Sequence, residues 1–264
     1  MAQLVRSQSV ALVIGAGGPT GGPFSWSALE AITERTGWDP ASATELIGTS
    51  AGAFVASRFE ARAEIDPQAI ESLRALANGH LFRATPALRL LGTLRRIGGR
   101  LVARLSPMSR GPAEYSVAEP PYHPGASAIT VRRNNAKREH HRFVEAGGHR
   151  QVEAIVRASS AIPFVNKPVE IRGSRHVDGA AFSANNADVV SGAPDVVVIL
   201  SPMVPASDGS LISRAHRAQL ICEIADLVKR GCDVVAVLPS VETHATRRDR
   251  ERFAPEGAAA VGRL

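Results

Sequence analysis

A serine between two glycines stands where one short apolar run ends and another begins. Residues 48–52 read Gly-Thr-Ser-Ala-Gly, and their setting predicts a strand, a sharp turn and a helix. Because Gly48 and Gly52 carry no Cβ atom, strand and helix can approach closely, and the turn can hold the Ser50 hydroxyl at a helix N-terminus. Ser50 is therefore a candidate nucleophile, although a serine that merely caps the helix would give the same local pattern.

A candidate carboxylate lies far along the chain. Residues 175–180 read Arg-His-Val-Asp-Gly-Ala, so that Asp178 ends a predicted strand and Gly179 follows it. Asp-Gly is a common turn signal and, taken alone, predicts only a turn. In combination with Ser50 and the glycine-rich loop described next, Asp178 becomes a candidate functional residue.

A glycine-rich loop follows the first predicted strand and opens a helix. Residues 15–22 read Gly-Ala-Gly-Gly-Pro-Thr-Gly-Gly. The dinucleotide-binding pattern would need glycine in place of Thr20, and the phosphate-binding loop would need lysine in place of Pro23, so the spacing fails both. We predict instead that the backbone amides of Gly17 and Gly18 form an oxyanion hole.

Apolar runs and helical patterns alternate along the chain. The predicted strands are residues 10–14, 45–47, 126–132, 141–145, 168–171, 175–177, 195–200 and 233–238. The predicted helices are residues 25–35, 51–61, 67–77, 151–160 and 212–229, with the basic segment described below. This alternation predicts an α/β fold of three layers, in which helices flank a mostly parallel central sheet.

Composition narrows the class of protein. The chain has 264 residues, of which 44% are hydrophobic and 21% charged, as in an ordinary globular protein. Cys222 and Cys232 match no disulfide framework or metal-site spacing. No apolar run has the length of a membrane span or of a signal-peptide core, so we expect a cytoplasmic protein, with peripheral membrane association left open. The formal net charge of +6 favours anionic surfaces.

Residues 82–110 contain seven arginines and no acidic residue. Apolar residues recur there in steps of three and four, which predicts a basic amphipathic helix with the stripe Leu90, Leu94, Ile97, Leu101 and Leu105. Gly98 and Gly99 should weaken or kink this helix. We favour a helix that packs its apolar stripe on the core; a helix at a membrane surface, or a lid over a lipid site, is the alternative.

Taken together, these motifs resemble the patatin-like phospholipase family. The family's glycine-rich loop, its Gly-x-Ser-x-Gly elbow and its late Asp-Gly-Gly/Ala motif correspond to residues 15–22, 48–52 and 178–180. Further agreement, in the family's order, comes from residues 158–163, 168–170 and 186–188. Thr20 is a departure, because the family loop usually carries arginine or lysine there, and loss of that charge would weaken the positioning of a phosphate.

The resemblance implies a lipid acyl hydrolase of the phospholipase A or esterase type with a Ser-Asp dyad. Ser50 would be the nucleophile and Asp178 the general base. The remaining motif residues would be Gly15, Gly48, Gly52 and Gly179. The substrate would be a lipid or another ester, and peripheral contact with an anionic membrane surface, which the net charge favours, stays open. We expect no cofactor, no metal and no nucleic-acid partner.

The expected organisation is one patatin-like domain over residues 1–264, with a basic helical insertion at about 67–124 and a flexible tail at 247–264. Two other hypotheses stay open. A Ser-His-acid triad could use His176, two residues from Asp178, or the downstream His216 or His244. A catalytically silent relative that docks on membranes would keep the fold without the chemistry.

Overall fold

The computed structural model of the protein describes residues 8–60, 65–106, 117–204 and 211–240. Its strands are β1 (Val10–Ile14), β2 (Glu45–Gly48), β3 (Ala126–Arg132), β4 (Lys137–Arg142), β5 (Val169–Ile171), β6 (Ser174–Asp178), β7 (Val196–Leu200) and β8 (Asp233–Val237). Its α-helices are α1 (Gly21–Thr36), α2 (Ala51–Ala56), α3 (Pro67–Ala75), α4 (Pro86–Leu105), α5 (His149–Ser159) and α6 (Leu211–Lys229). Short 3-10 helices at Gly18–Thr20 and Gly179–Ala181 follow β1 and β6.

The strands form one mixed sheet. Its order is β5-β6-β3-β2-β1-β7-β8, and β4 also pairs with β3. β1, β2, β3, β7 and β8 are parallel to their neighbours among these strands. β4 and β6 run antiparallel to β3, and β5 runs antiparallel to β6. The mostly parallel α/β sheet expected from the sequence is confirmed.

Two strands end against the same edge of β3. β4 occupies one edge, and the opposite edge is shared by β2, which pairs with residues 126–128, and β6, which pairs with residues 130–132. β2 runs parallel to β3 and β6 antiparallel, so their carboxyl ends point toward each other. Ser50 follows the end of β2 and Asp178 ends β6. The sheet topology therefore brings these two residues together.

Helices cover both faces of the sheet. Side chains alternate along β1, with Val10, Leu12 and Ile14 on one face and Ala11 and Val13 on the other. The first face packs against α1, α2, α3 and α5, and the second packs against α6. α4 lies along α6. These are the three layers that the alternating pattern predicts.

Several element ends differ from those predicted. α1 begins at Gly21 rather than residue 25, because Pro23 fits the first turn of a helix, where no N–H donor is required. α2 ends at Ala56 rather than residue 61. The strand predicted at 141–145 is wrong: β4 ends at Arg142, and the following residues form a 3-10 helix.

α4 runs unbroken through its two adjacent glycines, and its apolar stripe faces solvent. The five stripe residues are 55% to 61% exposed: Leu90, Leu94, Ile97, Leu101 and Leu105. The prediction that this stripe packs on the core is therefore wrong. The buried side of the helix carries Gly92, Gly99 and Ala103, which allow its backbone to approach the body of the protein.

The predicted tail, residues 247–264, lies outside the described residues. A single domain with an insertion at about 67–124 stays a prediction. Among the described residues, no helix combines the length and the apolar character needed to cross a membrane.

Candidate active site

Ser50 occupies a strained turn between β2 and α2. Its backbone has φ 56° and ψ −120°, in the positive-φ region that residues with a side chain seldom adopt. Close packing maintains this turn. A Cβ atom on Gly52 would lie 1.9 Å from the carbonyl oxygen of Ile14, and one on Gly48 would lie 2.4 Å from the Cα atom of Ala53. Both glycines are needed because helix and strand leave no room for a side chain.

A chain of hydrogen bonds fastens the Ser50 backbone to β3. The Ser50 amide N–H donates to Oγ of Ser159 across 2.9 Å. The Ser159 hydroxyl in turn donates to the carbonyl oxygen of Ile129 across 2.8 Å. Ser159 is a positioning residue that sequence reasoning missed. Its partners are distant along the chain, and its only signal was its place in the segment 158–163 that agrees with the family pattern.

Asp178 is held at the end of β6 by backbone contacts. Its amide N–H donates to the carbonyl oxygen of Ala161 across 2.9 Å. Its Oδ1 atom accepts a hydrogen bond of 2.8 Å from the amide N–H of Ala180. The 3-10 turn that begins at Gly179 therefore fixes the orientation of the carboxyl group.

The structure brings the predicted serine and aspartate into contact. The Ser50 hydroxyl lies close enough to the Asp178 carboxyl group to lower its pKa. Both residues are buried, with exposures of 4% and 2%. Burial raises the pKa of Asp178 to about 7, and hydrogen bonds from Ala180 and Ser50 oppose this rise. A carboxyl group with this pKa is matched to proton transfer near neutral pH.

The start of the glycine-rich loop is hydrogen-bonded to β7, and a second hydrogen bond lies within the loop. The Gly15 amide N–H donates to the carbonyl oxygen of Leu200 across 2.8 Å. The Thr20 hydroxyl donates to the carbonyl oxygen of Gly17 across 3.2 Å. Thr20 thus stabilises the loop from within, at the position where a basic residue was expected from the family pattern.

The rest of this loop lies beside the Ser50 turn. Gly18 has φ 58°, and its amide N–H makes no hydrogen bond within the part of the chain that the structure describes. A Cβ atom on Gly21 would lie 3.1 Å from the Cβ atom of Ala51. The loop therefore adjoins the residue that directly follows Ser50.

The comparison with known families agrees with this geometry. The model of the patatin-like phospholipase family matches residues 12–191, a span that includes the glycine-rich loop, Ser50 and Asp178. The chain belongs to the patatin-like phospholipase family. At the level of that family it is a lipid acyl hydrolase. No curated protein matches the chain.

In this patatin-like chain, Asn186 links the two halves of the site. Its backbone has φ 55°, and its Nδ2 atom donates to Oγ1 of Thr49 across 3.1 Å and to the carbonyl oxygen of Ser183 across 2.7 Å. Arg138 donates to Oδ1 of Asn186 across 3.2 Å. The amide therefore joins the residue before Ser50 to the segment that follows Asp178.

The patatin-like site also has a histidine network beside it that the sequence did not reveal. Oγ1 of Thr130 lies 2.8 Å from Nε2 of His141 and 2.9 Å from Nδ1 of His176. Nε2 of His176 lies 3.6 Å from Oε2 of Glu139. Each of Glu139, His141 and His176 offers a potential metal-ligand atom, and these atoms lie within 4.8 Å of one another.

The charges around this network are mixed. Glu139 also forms an ion pair of 2.5 Å with Arg132. Burial, followed by the nearby charge of His176, lowers the pKa of His141 to about 4, and burial lowers the pKa of His176. The His141 imidazole is therefore neutral at pH 7, and burial favours the neutral form of His176 as well. We interpret the cluster as a polar bridge between β3, β4 and β6.

The other histidines considered for a triad lie elsewhere. His216 is on α6, where burial, followed by the charge of Arg95, lowers its pKa to about 4. Its Nδ1 atom has no hydrogen-bond partner within the described residues. His244 lies outside the described residues.

The basic helix α4 packs directly on the turn after Asp178. Nη1 and Nη2 of Arg95 donate to the carbonyl oxygens of Ala181 and Ala180 across 3.0 Å and 2.7 Å. A Cβ atom on Gly99 would lie 1.6 Å from the carbonyl oxygen of Ala181. α4 therefore supports the turn that orients the Asp178 carboxyl group.

Proposed function

We propose that this patatin-like protein hydrolyses carboxylic esters of lipids through an acyl-enzyme on Ser50, with Asp178 as general base. One observation carries the proposal: the Ser50 hydroxyl lies beside a buried carboxyl group, that of Asp178, whose pKa burial raises to about 7. An ordinary aspartate, with a pKa of about 3.9, would be a much weaker base toward a hydroxyl.

In the acylation step, Oγ of Ser50 attacks the ester carbonyl carbon while Asp178 accepts the hydroxyl proton. The tetrahedral intermediate then collapses, the ester C–O bond breaks, and the leaving alcohol takes the proton from Asp178. Burial favours this exchange because it disfavours the charged carboxylate and so promotes proton uptake.

The negative oxygen of the tetrahedral intermediate requires hydrogen-bond donors. We assign this role to the amides of Gly17 and Gly18 in the loop beside the serine turn. The lack of a partner for the Gly18 amide within the described residues supports this assignment. The N-terminus of α2, directly after Ser50, adds a favourable dipole.

Water completes the cycle. Asp178 removes a proton from the attacking water, whose oxygen forms a new bond to the acyl carbon. When the second tetrahedral intermediate collapses, the bond to Oγ of Ser50 breaks and the proton returns to that oxygen. The product is a free carboxylic acid, and one carboxyl group serves both halves of the reaction.

The contacts of the histidines support a dyad over a triad. Both ring nitrogens of His176 face other groups, Thr130 on one side and Glu139 on the other. His216 lies beside Arg95, whose positive charge opposes the protonation that a triad histidine must undergo. Asp178, by contrast, lies close enough to the Ser50 hydroxyl for that hydroxyl to lower its pKa.

Hydrolysis of a short-chain p-nitrophenyl ester tests the proposal. We expect Ser50→Ala and Asp178→Asn to lower kcat by roughly 100-fold or more, the usual scale for loss of a nucleophile or general base. His176→Gln, His216→Gln and His244→Gln should each keep most of the activity if they remain folded. A folded histidine variant as inactive as Asp178→Asn would reject the dyad in favour of a triad.

Lipid esters assemble into membranes, so we further propose that the protein meets its substrate at an anionic lipid surface. The formal net charge of +6 supports this step. A panel of phospholipids and neutral lipids, with released fatty acids identified by mass spectrometry, would define the substrate. Hydrolysis of small soluble esters alone would contradict a lipid substrate.

A further inference from the structure

Helix α4 presents a continuous apolar stripe to solvent. Its five residues are each more than half exposed: Leu90, Leu94, Ile97, Leu101 and Leu105. The buried residues Gly92, Gly99 and Ala103 lie roughly 180° around the helix axis from the stripe, at 100° per residue. The helix therefore turns the large apolar side chains of the stripe outward and the small residues Gly92, Gly99 and Ala103 inward, the reverse of an ordinary surface helix.

A second exposed apolar segment lies beside the C-terminal end of α4. Ile162, Phe164 and Val165 are 42%, 50% and 43% exposed. The Phe164 amide N–H donates to Oγ of Ser106 across 3.0 Å, which places it beside the end of α4. This segment begins directly after Ala161, whose carbonyl oxygen accepts the hydrogen bond from Asp178. α4, through its buried face, and residues 162–165 therefore both adjoin the turn that carries the proposed general base, while the stripe lies on the opposite face of α4.

Positive charge borders the stripe on one side. Arg104 and Arg100 lie roughly 60° and 100° around the axis from its centre. Arg104 donates to the carbonyl oxygen of Asn135 and Arg100 lies over the Phe182 ring, but neither forms an ion pair with a carboxylate among the described residues. α4 contains five arginines and no acidic residue. An apolar stripe with a basic border matches a membrane surface, where acyl chains lie beneath anionic headgroups.

We infer that the outer face of α4, with residues 162–165, docks the protein on an anionic phospholipid bilayer. A second copy of the chain fits this face poorly, because a twofold contact along α4 would bring arginines together with no acid on the helix to pair them. Docking through this face would hold the proposed base about one helix diameter, roughly 10 Å, from the bilayer surface. The biological role of this docking rests on the proposed function, but binding to a bilayer does not itself require catalysis.

Vesicle binding tests the inference separately from hydrolysis. The full-length Ser50→Ala protein is mixed with vesicles of phosphatidylcholine, with or without phosphatidylglycerol, and the bound fraction is measured by sedimentation. We expect binding roughly tenfold tighter or more with the anionic lipid, weakened by added salt. Leu94→Gln combined with Leu101→Gln should weaken it roughly tenfold.

Matched variants separate docking from general loss of apolar surface. Leu81→Gln with Val144→Gln removes two exposed apolar side chains outside this face, which are 71% and 54% exposed, and should bind like the parent. Arg100→Glu with Arg104→Glu should abolish the preference for anionic vesicles. Thermal unfolding must show that each variant is folded.

Three results would overturn the inference: no binding of the parent to either vesicle, equal binding by the Leu94→Gln and Leu101→Gln variant, or a parent dimer that this variant loses. The last result would make the face a subunit interface. Hydrolysis of a soluble ester by the protein with Ser50 intact reports on the proposed function alone, so the two failures remain distinguishable.

Discussion

The amide N–H of Ser50 donates a hydrogen bond of 2.9 Å to the hydroxyl of Ser159. This contact holds the backbone of the proposed nucleophile in its positive-φ conformation, because Ser159 is itself anchored to the Ile129 carbonyl oxygen. The strained serine is thus supported by a helix and a strand that lie far along the chain.

Ser159→Ala should remove that support. We expect kcat for a soluble ester to fall roughly tenfold to 100-fold, since small displacements of a reacting group are costly. The free energy of unfolding should fall by about 1–3 kcal/mol, because a buried amide loses its acceptor. Steady-state kinetics and chemical denaturation check both expectations.

Ser160→Ala is the matched control for this change. Ser160 is also buried, but its Oγ atom has no hydrogen-bond partner within the described residues. We expect activity and stability close to those of the parent. Equal losses in the two variants would show that the Ser159 contact has no special role.

The raised pKa of Asp178 predicts the pH dependence of activity. The general base must be ionised, so kcat/KM should rise with pH through an apparent pKa of about 7 and fall about tenfold per unit below it. Initial rates on a soluble ester between pH 5 and 9 measure this profile. A profile already level at pH 5 would mean that Asp178 titrates as an ordinary aspartate.

The raised pKa of Asp178 also predicts that the folded protein loses stability as pH rises, whereas its activity increases. Asp178 binds its proton more tightly in the folded protein than in the unfolded chain, so its contribution to folding declines as pH rises from about 4 to 7. Asp178→Asn removes the buried charge and should be more stable than the parent at pH 8. Thermal unfolding at pH 5 and pH 8 checks this. If the stability of Asp178→Asn relative to the parent is no greater at pH 8 than at pH 5, the burial argument is contradicted. Glu223, whose pKa burial also raises, is present in both proteins.

Adjacent glycines in α4 allow a matched test of its packing on the Asp178 turn. A Cβ atom on Gly99 would collide with the Ala181 carbonyl oxygen, whereas one on Gly98 would meet nothing within 4 Å. Gly99→Ala should destabilise the protein by about 1–3 kcal/mol and lower kcat. Gly98→Ala should stabilise it by about 0.5–1 kcal/mol, as expected for alanine in a helix.

Denaturation curves and kinetics of both variants decide this point. If Gly99→Ala has the same stability and kcat as Gly98→Ala, α4 does not pack tightly on the turn that follows Asp178. In that case the link between the basic helix and the orientation of Asp178 would be lost.

The sequence predicted the sheet and singled out Ser50 and Asp178 as candidates because each leaves a local signal. Buried β-branched runs mark the parallel strands, and glycines mark the positions where backbone segments crowd together at Ser50. The meeting of Ser50 and Asp178 follows once β2 and β6 share one edge of β3. No periodicity reports that pairing, so only the combined family motifs pointed to it.

The sequence could not predict which face of α4 is exposed to solvent. Helical periodicity shows that Leu90, Leu94 and Leu101 share a face, but it does not say whether that face turns inward. The opposite face is buried through Gly92 and Gly99, which carry no hydrophobic signal of their own. Close backbone packing decided the orientation, and it depends on the shape of the neighbouring α6 and of the turn after Asp178.

Reaction with a fluorophosphonate probe, followed by mass spectrometry, tests the central claim most directly. We predict one adduct on the peptide that contains Ser50, formed roughly 100-fold more slowly or not at all in Asp178→Asn, because the hydroxyl then lacks its base. A folded parent that stays unlabelled, an adduct on another residue, or equal labelling of Asp178→Asn would contradict the account.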